Sequence, residues 1–182
     1  MVLAQLLTRF PNLTTLGDLV LFDDTNEHWN GLAVTIPQHV FPSFAFPPGT
    51  SNGWAHPRIR NLGVAIFPRW SGNDMCDTVV LSSFASVVAR YFPAVESLSF
   101  TFMLPVPFKP LSNVPGVLKA WEEVVTVLPA NRINFVGENV GLLLRNGEGV
   151  DVQVADTWRL FFEGIRRIGD RIGKKVEADG EF

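Results

Sequence analysis

Three histidines, a few clustered carboxylates and one thiol are the side chains here with the right chemistry for catalysis or metal binding. The densest polar group is Asp23, Asp24, Glu27 and His28, and oxygen and imidazole donors this close in sequence suit a divalent cation. Carboxylates so spaced are also what a solvated exit from a strand into a loop ordinarily carries, and that is the reading adopted. A serine or cysteine triad needs an imidazole base. His28, His39 and His56 are available, all in or beside one irregular stretch. Glu122 and Glu123 are adjacent on a helical pattern, so they point about 100° apart and do not form an acid and base pair. Cys76 precedes a helix start, where the dipole lowers a thiol pKa, but a lone cysteine is ordinarily a small, partly buried hydrophobe. No nucleophile elbow, phosphate loop, dinucleotide fingerprint or H-E-x-x-H pair is present. The residues imply no cofactor, no metal and no catalytic group.

What must position these side chains is a chain of 182 residues, 47% hydrophobic and 18% charged, with a net charge of -3. Such a composition folds around a core and excludes wholesale disorder. The slight acidity argues against nucleic acid, which requires a surplus of Lys and Arg. A single cysteine excludes an internal disulfide. No run approaches the roughly 18 apolar residues that cross a bilayer, and Pro11 breaks the first apolar run before a signal sequence forms. The expectation is an intracellular chain, cytoplasmic or nuclear, without membrane contact.

A phrase recurs: an apolar helical stripe, a proline, then alternating apolar residues. It reads LAQLLTRFPNLTTLGDLVLF from Leu3 and FASVVARYFPAVESLSFTFM from Phe84, with weaker copies HPRIRNLGVAIF from His56 and WEEVVTVLPANRINFV from Trp121. The prolines stand at 11, 57, 93 and 129, giving offsets of 46, 36 and 36. Leu3, Leu6, Leu7 and Phe10 share a helix face, as do Leu81, Phe84, Val87, Val88, Tyr91 and Phe92, with Asp77 as N-cap. Val117, Leu118, Trp121, Val124, Val125 and Leu128 form the third stripe. Proline removes a donor and disfavours helical geometry in the residue before it, so each helix stops there. Afterwards the period becomes two: Leu62, Val64 and Ile66; Leu98, Phe100 and Phe102; Ile133 and Phe135. In the first copy Leu16, Leu19 and Leu21 do this around an irregularity at Gly17-Asp18 that reads as a bulge. Helices that repeatedly hand over to strands build a parallel sheet through crossovers.

Residues 23–57 read as a Pro-rich loop insertion; between Phe22 and Trp70 lie six of the 13 prolines. Leu142 to Leu144 and Val150 to Val154 read as a hairpin joined through Asn146-Gly147-Glu148-Gly149. Asp156 reads as the cap of a last helix carrying Trp158, Phe161, Phe162, Ile165, Ile168 and Ile172. The organisation expected is one domain over 1–182: four degenerate repeats in 1–136, a hairpin and capping helix in 137–175, and a frayed tail in 176–182.

FPNLTTLGDLVL and FPAVESLSFTF resemble leucine-rich repeats of the ribonuclease-inhibitor-like kind, as found in the repeat region of fungal F-box-like proteins. The resemblance covers roughly Leu3 to Val136. It departs from the family in its 36-residue spacing, against about 20 to 29, and lacks the pattern's asparagine or cysteine. No F-box helical module precedes the first repeat, so the resemblance implies a truncated relative or a fragment of a longer receptor. The fold it implies is an α/β solenoid with a parallel sheet, and the function a non-enzymatic scaffold for protein partners, as in the substrate-recognition part of an F-box-like receptor.

In that scaffold the strand residues between the buried ones line a shared surface: Asp18 and Val20; Asn61, Gly63 and Ala65; Ser97, Ser99 and Thr101; Arg132 and Asn134. Asn61, Ser97, Ser99, Thr101, Arg132 and Asn134 are the candidate partner-binding residues, small and able to hydrogen-bond. Phe41, Phe44, Phe46, Trp54 and Trp70 in the loop form a second candidate surface, or fold back over an edge of the repeats. Arg159, Arg166, Arg167, Arg171, Lys174 and Lys175 against Glu163 and Asp170 read as a solvated helix face, the alternative being a face for an acidic partner or a membrane surface. The competing class is a small α/β enzyme with its site around Asp23, Asp24, His28 and His56.

Overall fold

Alternation in the sequence becomes strands with one apolar face. The computed structural model describes residues 7–21, 55–66, 78–103, 110–138 and 152–179. Five strands, β1 (Thr15–Leu21), β2 (Asn61–Ile66), β3 (Ser97–Met103), β4 (Arg132–Glu138) and β5 (Lys175–Asp179), form one sheet in chain order. All four pairings are parallel. Three helices intervene: α1 (Thr78–Tyr91), α2 (Val114–Val127) and α3 (Val152–Ile172). The molecule is therefore α/β with a parallel sheet.

The turn before each strand repeats at the level of single hydrogen bonds. The Thr14 carbonyl accepts from the N–H groups of Arg60 (2.8 Å) and Asn61 (3.1 Å). Arg60 accepts from Glu96 (2.8 Å) and Ser97 (2.9 Å), and Glu96 from Asn131 (3.2 Å) and Arg132 (3.1 Å). Asn131 continues the ladder with Lys175 N–H at 3.0 Å. The prolines set up these turns. Pro11 and Pro93 follow Phe10 and Phe92, whose carbonyls accept from Leu13 and Val95 N–H, both at 3.1 Å. That is a β-turn with proline in its favoured second position.

The anticipated apolar faces meet in one core. Leu62, Val64, Leu98, Phe100, Phe102, Ile133 and Phe135 project from the sheet onto Phe84, Val88, Tyr91, Trp121, Val124, Val125, Phe161, Phe162 and Ile165. Phe100 lies 5.0 Å from Trp121 and 5.2 Å from Phe135, and Phe102 packs edge-on to Phe161 at 5.8 Å. The two edge-to-face pairs, Phe100 with Trp121 and Phe102 with Phe161, each add about 0.5–1.5 kcal/mol beyond the area they bury. The β1 irregularity is a one-residue insertion, since Leu16 pairs with Leu62 but Leu19 with Val64.

Four expectations are corrected. Val152 to Val154 belong to α3 rather than to a hairpin strand; the apolar side chain of Val154 is buried because it starts the helix stripe that continues in Trp158. Asp156 accordingly sits inside the helix, bonded to Arg159 at 2.9 Å, and is not its cap. The residues read as a frayed tail include Val176 to Asp179, which pair with β4 as β5, because Val176 and Ala178 alternate with polar neighbours and give β4 an apolar-faced neighbour. Phe10 is 53% exposed, off the stripe it was assigned to. Its N–H closes onto Leu7, three residues back, whereas Phe92 and Leu128 close onto Val88 and Val124, four back; the tighter turn rotates Phe10 away. Leu3, Leu6, Asp77, Leu142 to Leu144 and Val150 lie outside the described residues.

Candidate functional site

On the face of the sheet away from the helices, the register sets polar residues in rows. Asn61, Ser97, Arg132 and Lys175 form one row. Gly63, Ser99, Asn134 and Glu177 form the next, and Ala65, Thr101 and Val136 the third. All six anticipated residues thus come together on neighbouring strands: Asn61 and Arg132 are exposed, and Ser97, Ser99, Thr101 and Asn134 are half-buried. Asn61 Nδ2 donates to Thr15 Oγ1 at 3.3 Å, extending the first row onto β1. Val20 is in register with Ala65, and Asp18 falls in the bulge. Ala65, expected to be exposed, is 7% exposed; its methyl group is too short to reach past Thr101 beside it.

The unforeseen member of this surface is β5. Lys175 and Glu177, two residues apart on one strand face, form an ion pair. The Lys175 ammonium, with Arg132 adding to its field, holds the Glu177 carboxyl below the usual carboxylate range. The surface therefore runs from neutral hydroxyl and amide groups on β2 and β3 to charged groups on β4 and β5. Asn134 Oδ1 is buried and has no hydrogen-bond partner among the described residues. The signal for β5 was present in sequence as Val176 and Ala178 alternating with Lys175 and Glu177, but five residues rich in charge resemble a solvated tail.

Asp23, Asp24, Glu27, His28, His39 and Cys76 lie outside the described residues, as do Phe41, Phe44, Phe46, Trp54 and Trp70. His56 is described, and it is built into the scaffold. It occupies the position before Pro57 that Phe92 and Leu128 occupy before their prolines, and is 2% exposed. Its Nε2 lies 3.1 Å from the Phe10 carbonyl, its Nδ1 3.4 Å from Arg58 N–H, and its own N–H donates to Tyr91 at 2.8 Å. Nε2 thus carries the proton and Nδ1 accepts, the neutral tautomer. Glu122 and Glu123 show no paired geometry: Glu122 bonds Arg171 at 2.7 Å. Among the described residues no group of three or more His, Cys, Asp or Glu is placed to hold a metal ion.

The basic residues of α3, and Lys174 in the turn that follows it, are engaged within the molecule. Arg159 bonds Asp156, Arg167 bonds Glu163 at 3.3 Å, and Arg166 donates to the Ala178 carbonyl. Lys174 Nζ donates to the carbonyls of Val125, at 2.7 Å, and Leu128. It satisfies the end of α2, where carbonyls lack helical partners and the dipole favours a cation. Burial pushes the Lys174 pKa below the ordinary lysine value. No helix among the described residues is long and apolar enough to cross a membrane. Compared with known proteins, the chain matches no family model, no curated protein and no solved structure.

Proposed function

We propose that this protein is a non-enzymatic interaction scaffold, a short solenoid of the leucine-rich-repeat type whose exposed sheet face binds a protein partner. One observation carries the reading: five parallel strands in chain order, in register, set out polar rows on the side opposite the helices. A sheet that grows by adding each unit beside the last presents corresponding side chains of every unit on one surface, which is the geometry repeat proteins use for recognition. The offset of 36 between Arg60 and Glu96, which bond in equivalent ways, supports a repeated unit. The finer reading, a substrate-recognition part of an F-box-like receptor, rests on the resemblance of FPNLTTLGDLVL and FPAVESLSFTF. The protein works in the cytoplasm or nucleus on this reading, and binds neither nucleic acid nor membrane.

The test is quantitative comparison of proteins captured by the wild type, Ser99→Arg and Arg159→Ala. Ser99 is central in the rows, and Arg there projects a long cation into the face; Arg159 lies on α3. A partner retained by wild type and Arg159→Ala but lost by Ser99→Arg supports the reading. Identical sets from all three would remove this face as the recognition surface.

A further inference from the structure

Away from the sheet, α2 and α3 pack against each other along a groove of about 290 Å³ lined by Pro115, Leu118, Lys119, Glu122, Gly164, Arg167, Ile168 and Arg171. Its depth comes from Gly164, which lets the helices approach so closely that a Cβ there would lie 2.4 Å from Leu118 Cδ1. Leu118 facing Gly164 and Glu122 bonding Arg171 show that the two helices run in the same direction. Glu122 and Arg171, joined by that ion pair, also line the groove. Nearer the helix starts, Lys119 from one wall and Arg167 from the other bring like charges to the same cleft. Among the described residues Arg167 is paired only along its own helix, with Glu163, and its side chain stays 77% exposed. Lys119 has no hydrogen-bond or ion-pair partner among the described residues.

The lining carries three cations and one carboxylate in a chain whose net charge is -3. Two cations flanking an apolar floor of Leu118 and Ile168 fit a carboxylate held between them with a neighbouring apolar side chain beneath. We propose that this groove binds an acidic segment of a partner polypeptide in which carboxylate and aliphatic residues are interspersed. This second surface lies on the helical side and is independent of the sheet face.

The probe is a short synthetic peptide of alternating glutamate and leucine, titrated into the full chain and followed by backbone amide shifts in NMR. Shifts centred on Leu118, Gly164 and Ile168 are expected, weakening as salt is raised. Lys119→Glu and Arg167→Glu, both at exposed positions, should each weaken binding about 3- to 10-fold. Arg159→Glu changes the net charge equally but lies outside the groove, and should leave affinity unchanged. Equal binding of the glutamine and leucine analogue, equal loss in Arg159→Glu, shifts elsewhere, or no shift at about millimolar peptide would overturn the proposal. Inorganic phosphate reproducing the same shifts at the same affinity would overturn the polypeptide as its occupant.

Discussion

His56 occupies a slot that neighbouring units fill with Phe or Leu, and it keeps its place by satisfying two backbone groups that an apolar ring could not reach. Substituting His56 with Phe retains volume but leaves the Phe10 carbonyl with Leu13 N–H alone and takes the side-chain acceptor from Arg58 N–H. A loss of about 0.5–1.5 kcal/mol is expected, read as a lower urea midpoint with unchanged slope. Trp121 makes the opposite case. Its Nε1 is buried without a hydrogen-bond partner among the described residues, while its ring packs on Phe100, Phe102 and Phe135. Trp121→Phe should therefore cost much less than Trp121→Ala, for which about 3–5 kcal/mol is expected. A Phe variant as destabilised as the Ala variant would mean that the indole N–H, not the ring, supplies the stabilisation. Glu177 sets a pH dependence: its folded pKa is depressed by Lys175, so its contribution is present above the ordinary carboxylate pKa and lost as pH falls through the folded value. Glu177→Gln should flatten the acid limb of the stability curve, most visibly at low salt.

At the scale of elements, ends and crossings are more sensitive than middles. The side chain of Asn113 caps α2 by accepting from Gly116 N–H at 3.1 Å, with a proline in the first turn. Asn113→Ala should cost about 1 kcal/mol. Where α3 crosses β5, a Cβ on Gly169 would lie 2.5 Å from Val176 Cβ and 3.1 Å from the Lys174 carbonyl. Alanine gains about 1 kcal/mol of helix propensity, but backbone and a branched side chain cannot yield cheaply, so Gly169→Ala should be net destabilising by about 1–3 kcal/mol. These elements also show what was legible in sequence. Phe84, Val87, Val88 and Tyr91 keep a 3.6-residue period, and Leu98, Phe100 and Phe102 a period of two, so both faces could be assigned from spacing alone. Val152 and Val154 have a two-residue spacing that fits either state, and only the core contact of Val154 decides for helix. The polar rows were legible because a period of two separates the polar from the apolar face of each strand, although the 36-residue proline offset matches the pairing of Asn61 with Ser97 and not that of Ser97 with Arg132, 35 residues on. Lys175 and Glu177 were missed from them because their strand forms only through pairing with β4, a contact of long sequence separation that no local period reports.

For the whole molecule, the consequence of building a sheet unit by unit is that each strand covers the edge of the one before. β3 and β4 have neighbours on both sides, while β5 borders β4 alone among the described strands. Arg166 reaches from α3 to the Ala178 carbonyl, so part of the outer backbone of β5 is already occupied. Ending the chain after Gly173 would remove β5 and uncover the Asn131 carbonyl, the edge of β4 and the apolar surface now under Val176 and Ala178. An open, flat edge beside an apolar face templates intermolecular pairing. The truncated chain should therefore self-associate at concentrations where the full chain does not, measurable as a concentration-dependent sedimentation coefficient. Arg166→Ala should produce a weaker form of the same effect, since it frees one edge carbonyl while leaving β5 in place. If the truncated chain instead sediments as the full chain does and unfolds at the same urea midpoint, β5 is an appendage, and the polar face of the sheet proper ends at Arg132 and Asn134.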